Sequence, residues 1–199
     1  MEIFFKLSRC PVCKENASSS LGACKSCQKS LFNPQISKDL VYLGDYMANL
    51  ERAVKALKFH NSHRLSKLFA KKLAKEIKQA QWQVDIICPI PLHWSRYLER
   101  GYNQSGLVAK ELAKELNIKY SKLLIRKKKT KQQAKLTRLE RSHNLINAFS
   151  LKAINIKNKK IILVDDVITS GATIASAVTV LSNAGASVKI ASIAKTPFN

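Results

Sequence analysis

The chain has 199 residues, 46% of them hydrophobic, and its 35 Lys and Arg against 13 Asp and Glu give a formal net charge of +22. That length suits one α/β domain with a small appendage, and the apolar content suffices for a core, which excludes a disordered chain. No apolar run approaches the ~20 residues of a membrane-spanning helix, so no membrane insertion is expected.

The opening MEIFFKLSRC has too short an apolar stretch to read as a signal peptide. A cytoplasmic protein with reduced thiols is therefore expected, where clustered cysteines suggest metal before disulfide. Four of the five cysteines form two pairs, Cys10-Pro-Val-Cys13 and Cys24-Lys-Ser-Cys27. Two residues between thiols let one tight turn present both sulfurs to a single ion. Two such turns complete a tetrahedron, the closed form of a structural Zn2+ site. Lys14 and Lys25 offset part of the thiolate charge. Residues 1–34 are accordingly read as a four-cysteine zinc module. It is too small to fold on core burial alone, so metal binding and folding should be coupled. Cys88, in the apolar run from Val84 to Ile90, reads as an inert core residue.

Pro34 and the polar residues after it mark a linker into a second region, 35–199. Tyr46, Leu50, Val54 and Leu57 recur at helical spacing, as do Leu65, Phe69, Leu73 and Ile77, and Ser62 between the runs is a candidate N-cap. Val84 to Pro89 predicts a strand buried on both faces. A helix is expected from about Ser105 to Leu116, and Lys122 to Ile125 is a candidate strand. Ile161 to Val164 is the clearest strand, followed by a loop, a helix over Ala172 to Asn183 and a last strand over Ser187 to Ala194. Strands alternating with helices predict an α/β parallel sheet flanked by helices, with right-handed crossovers.

Asp165 and Asp166 follow the strand Ile161 to Val164, at the carboxyl end where open α/β sheets bind ligands. Thr169-Ser170-Gly171-Ala172-Thr173 then turns into a helix. Small residues and a glycine let backbone amides close on a phosphate at the helix N-terminus, and the hydroxyls add donors. The adjacent carboxylates suit paired ribose hydroxyls and a Mg2+ ion. The pattern reads as a clamp for a ribose 5-phosphate. There is no GxxxxGK[ST] and no GxGxxG, so neither a P-loop nor a dinucleotide fingerprint is present.

The segment IILVDDVITSGATI resembles the phosphoribosyl-diphosphate motif of type I phosphoribosyltransferases. The whole chain is similar to the ComF/ComFC competence family. The agreement runs through the paired cysteines, YMANLERAVKALKFH, PIPLHWSRYLERGYNQS, TKQQAKLTRLERSHNLINAF and the diphosphate motif. The resemblance implies a type I phosphoribosyltransferase-like fold in which Asp165 and Asp166 hold ribose and Thr169 to Thr173 the 5-phosphate. It implies that Arg96 and Arg100 lie near the diphosphate. It also implies that the stretch from Lys127 to Arg141, with Lys131, Arg138 and Arg141, is a loop closing over the site. Threonine at 169 stands where purine-salvage relatives can carry an acid. That disfavours purine salvage without excluding transfer, since orotate-type relatives also have threonine there.

Charge of this sign favours phosphates, although a solvated lysine coat accounts for it equally well. The argument therefore rests on clusters. Arg126, Lys127, Lys128, Lys129, Lys131, Lys135, Arg138 and Arg141 form one, and Trp94, Arg96, Tyr97, Arg100 and Tyr102 another. Basic residues interleaved with flat aromatic faces describe a groove for single-stranded DNA; the same residues could shape a diphosphate pocket or a core edge. Trp94, Tyr97, Lys127, Lys128, Lys129 and Lys135 are the candidate DNA contacts. Competence proteins of this family are linked to incoming single-stranded DNA, so the expected partners are that strand, phosphoribosyl diphosphate with Mg2+, and competence-machinery proteins such as a helicase. The rival expectation is an active phosphoribosyltransferase with an unidentified acceptor. His60 and His63 lack companion ligands for a second metal, and Lys58 reads as solvated or reaching a ligand phosphate.

Overall fold

The computed structural model describes residues 9–15, 21–59, 62–126 and 148–197. Lys127, Lys128, Lys129, Lys131, Lys135, Arg138 and Arg141, together with His60, lie outside them.

After the first cysteine turn, α1 (Lys25–Ser30) begins with Cys24 as its N-cap, whose sulfur accepts the Cys27 N–H at 3.4 Å. A short antiparallel pair, β1 (Gln35–Ile36) and β2 (Leu40–Tyr42), leads into two helices, α2 (Ala48–Phe59) and α3 (Arg64–Gln79). The helical spacing is realised there: Leu50, Val54, Leu57, Leu65, Phe69, Leu73 and Ile77 are all buried. Ser62 falls one residue short of the cap. His63 holds the N-cap position with helical backbone angles and no side-chain bond to the helix, and the carbonyls of Ser62 and His63 take the Leu65 and Ser66 N–H groups.

Next come β3 (Ile86–Pro89), α4 (Trp94–Arg100), α5 (Gln104–Leu116), β4 (Lys119–Tyr120), β5 (Leu124–Arg126) and β6 (Phe149–Leu151). The chain then runs through β7 (Lys160–Ile168), α6 (Ala172–Asn183) and β8 (Ser187–Lys195). The main sheet has the order β1-β2-β8-β7-β3-β4 and is parallel throughout except for β1. The expected strand near Lys122 exists as β5, but it leaves that sheet and pairs antiparallel with β6, Ile125 opposite Ser150.

Successive residues of a strand point to opposite faces, and both faces of this sheet are covered. Ile87, Ile162, Val164, Ala191 and Ile193 pack with α2, α3 and α5. Ile86, Cys88, Ile161 and Leu163 pack with α6 and with Leu124 and Phe149 of the small sheet. This explains why β3 is wholly apolar and buried. The cysteine turns do not stand apart from the first of these layers: Cys10, Val12, Cys27 and Leu31 are buried in the same cluster as Leu65 and Phe69. Gly22, at φ +82°, marks the closest approach, since a Cβ there would meet Arg64 Cβ and the Leu65 nitrogen at 3.0 Å. Among the described residues no helix is long and apolar enough to cross a membrane.

Candidate functional site

A cleft of about 640 Å³ opens at the carboxyl ends of β3 and β7. Its floor is the acidic pair. The expectation had placed Asp165 and Asp166 beyond the strand, yet β7 continues through both, because Asp165, Val167 and Ile168 still pair with Ser192, Ala194 and Lys195 of β8. Extended backbone sends consecutive side chains in opposite directions, so the two carboxylates have different partners. Asp165 accepts hydrogen bonds from the Ser105 hydroxyl at 3.1 Å and the Asp166 N–H at 2.9 Å. Asp166 is ion-paired with Lys58 at 3.1 Å, both side chains being about 15% exposed.

Burial, and then the charge of Asp166, push the Asp165 carboxyl up to about 7, against the opposing pull of its two donors and Lys58. Asp165 therefore keeps its proton into the mildly acidic range, where an ordinary aspartate has lost it.

Guanidinium groups line the same cleft. Arg96 and Arg100 come from α4 and Arg126 from the end of β5. Arg100 lies over the Phe59 ring at 4.6 Å, and among the described residues its buried Nε has no hydrogen-bond partner. Arg126 lies 5.5 Å from the Phe149 ring centre; burial, then repulsion by Arg96, lowers its pKa. With Lys58, these groups outnumber the two carboxylates, so the cleft suits a ligand carrying several negative charges. The α4 segment is held in place by its ends. The His93 ring accepts the Ser95 N–H, the Asn103 amide donates to the Ile90 carbonyl at 2.9 Å, and Gly101 closes the helix at φ +75°.

The remaining wall is the loop into α6. Thr169 and Thr173 line the cleft, and Gly171 sits between them at the N-cap of α6 with φ +74°. Ser170, Gly171 and Ala172 belong to the same turn but do not line the cleft themselves. Trp94 and Tyr97, by contrast, lie on a neighbouring groove.

Several cleft residues carried no usable signal in the sequence. Lys58, read as solvated, is tied to Asp166; Ser105 looked like an ordinary helix start, and Tyr46 like a core position. Lys58 and Ser105 act on the site from helices and Tyr46 from the bend before α2, all remote in sequence from the acids, so no local spacing announces them.

Among the described residues the sulfurs of Cys10, Cys13, Cys24 and Cys27 all lie within 4.8 Å of one another and can hold a metal ion. The Cys13–Cys24 separation is 3.7 Å, close to the edge of about 3.8 Å in a zinc–thiolate tetrahedron with ~2.3 Å bonds. Burial would raise the Cys10 thiol, but N–H groups of Cys13, Cys24 and Val12 more than offset it and lower it to about 6. Burial, followed by the neighbouring thiols, pushes Cys27 up; a bound cation would reverse that order. Cys88 is fully buried and raised to about 11 by burial, as an inert core thiol should be.

Comparison with known proteins gives four matches. A phosphoribosyl transferase domain matches residues 102–197. The DNA utilization protein YhgH of Salmonella typhimurium is 31% identical over 198 residues, covering 96% of this chain and 86% of the relative. Competence protein F of Haemophilus influenzae is 32% identical over 159 residues, covering 76% and 68%. Among solved structures, adenine phosphoribosyltransferase from Leishmania tarentolae aligns with a TM-score of 0.49 at 14% identity, over 82% of this chain and 94% of that one.

Proposed function

The chain belongs to the ComF/ComFC family, and from that premise we propose that it binds single-stranded DNA and phosphoribosyl diphosphate and acts in DNA uptake and processing during natural transformation. The observation that carries the diphosphate reading is the convergence in one cleft of the acidic pair, Thr169 and Thr173 at the two ends of the turn, and Arg96, Arg100 and Arg126. The turn offers amides and hydroxyls to the 5-phosphate. The acids face the ribose hydroxyls and Mg2+, which would neutralise the diphosphate; the arginines take the remaining charge. The four-cysteine cluster holds Zn2+ in a structural role, since all four positions are filled by protein sulfur. The names of the relatives, a DNA utilization protein and a competence protein, and the charge of +22 support the DNA reading. A helicase of the competence machinery is the partner that would supply the motor this chain does not encode.

The test is fluorescence anisotropy of a labelled single strand through a salt series, with duplex competitor and with or without phosphoribosyl diphosphate and Mg2+. Binding that persists at physiological salt and prefers single strands is expected. Weak binding, abolished by salt and indifferent to strandedness, would reduce the charge to a solvated coat.

The geometry of the cleft also favours a second reading, a working phosphoribosyltransferase, because the acidic pair and phosphate turn are complete. On that reading diphosphate is released in the presence of an acceptor, and release vanishes in Asp165→Ala.

A further inference from the structure

Beside the diphosphate cleft lies a groove of about 520 Å³. Trp94, Tyr97 and Leu98 of α4 form one side and Ile125 of β5 the other, and these side chains are 53%, 51%, 73% and 48% exposed. The α4 helix buries none of its residues, so core packing does not account for its aromatics. Its apolar side chains face a depression, and contiguous exposed apolar surface of this kind marks a binding site. Lys122, Lys152 and Arg126 also line it, and among the described residues the lining contains no carboxylate.

An apolar slot whose charged lining, among the described residues, is wholly cationic fits a ligand with an aromatic face and negative charge. Bases inside a duplex cannot offer their faces to protein rings, whereas bases of a single strand can. The groove is also continuous with the cleft, the two sharing Pro91, Leu92, Asn103 and Arg126 as a common wall.

We propose that this groove is where single-stranded DNA is held: a base stacks on Trp94 and Tyr97, and the adjoining phosphates lie on Lys122 and Lys152. Arg126 stands between strand and diphosphate cleft, within reach of phosphate from either side. The assignment rests on the DNA-binding reading above and adds the place and mode of contact.

The chain contains two tryptophans, so Trp82→Phe leaves Trp94 as the sole indole reporter in the full-length protein. Titration with end-labelled oligothymidylate is followed by anisotropy and by tryptophan emission together. Quenching of Trp94 that tracks the anisotropy is expected. Trp94→Ala combined with Tyr97→Ala should weaken binding about tenfold or more at an unchanged salt slope. Lys122→Ala and Lys152→Ala should each lower that slope by somewhat under one. Circular dichroism melts establish that each variant is folded. A strand that binds without altering Trp94 emission, at wild-type affinity in the double aromatic variant, would overturn the groove and leave the DNA reading standing. A blunt duplex that quenches Trp94 equally would overturn the single-strand assignment. Failure of the unaltered protein to bind any strand would remove both.

Discussion

Asp165 and its neighbour differ in partners, and their chemistry should differ with them. The folded protein holds the Asp165 proton up to about 7, against an ordinary value of 3.8. Below about pH 4 the carboxyl is protonated folded or unfolded. Between about 4 and 7 the fold retains a proton that the unfolded chain releases, so this group makes stability fall as pH rises through that window. A ligand that requires the carboxylate works in the other direction and must expel the proton below pH 7. Affinity for phosphoribosyl diphosphate with Mg2+ should therefore rise from pH 6 to pH 8, by up to about tenfold per unit below 7. Calorimetry in buffers of different ionisation enthalpy should register proton release on binding, and Asp165→Asn should reduce both effects to what the ligand's own phosphates contribute. Lys58 offers a second test. Its pair with Asp166 is mostly shielded from water, so Lys58→Met leaves a shielded carboxylate without its cation. A loss of about 1–3 kcal/mol in urea denaturation is expected, together with weaker diphosphate binding. The sequence showed the acids and not this lysine, because a helical lysine looks the same whether it faces solvent or a carboxylate on another element.

Among the elements, those with a strong period or a buried run were legible in advance and those depending on a remote partner were not. The helix α6 has the bounds its pattern predicts, Ala172–Asn183. The strand β7 outruns its apolar run because β8 goes on pairing with it past the acids. The helix α4 was unforeseen: it has no buried face, and periodicity detects only helices that have one. The turn before α6 carries the prediction at this scale. Gly171 has φ +74°, and a Cβ added there would meet nothing within 4 Å. Replacement thus costs backbone strain alone. Gly171→Val should destabilise by about 1–2 kcal/mol and weaken diphosphate binding, while Gly171→Asn should lose less, since asparagine tolerates the left-handed region. Equal losses in chemical denaturation would show that crowding, rather than backbone conformation, constrains the loop.

At the scale of the molecule, the cysteine turns and the sheet share one apolar layer. Cys10 and Cys27 are packed with Leu65 and Phe69, and the Phe32 ring meets Phe69 edge-on at 6.1 Å. Metal removal should consequently be felt in the phosphoribosyltransferase-like part as well. Stripping the metal with a chelator, or Cys10→Ser with Cys24→Ser, should lower the midpoint of a single cooperative melt by roughly 10 °C. Two separate transitions, with the larger one unmoved, would show instead that the layer does not couple them.

The chemistry readable from residues alone was local: two CxxC turns that bring four sulfurs together, a strand–acid–turn–helix run able to seat a phosphate, and apolar periods that commit α3 and β3 to the interior. Each depends on atoms only a few positions apart, whose relative placement the backbone itself restricts. The cleft is of another kind. Lys58 and Ser105 reach Asp166 and Asp165, and Arg100 and Arg126 line the same cleft, because parallel pairing of β3, β7 and β8 brings helix and strand ends to one edge of the sheet. The side groove likewise exists only because β5 leaves the main sheet to lie opposite α4. Such convergence is fixed by packing two apolar layers against one sheet, a requirement spread over the whole core and written in no single stretch of the chain.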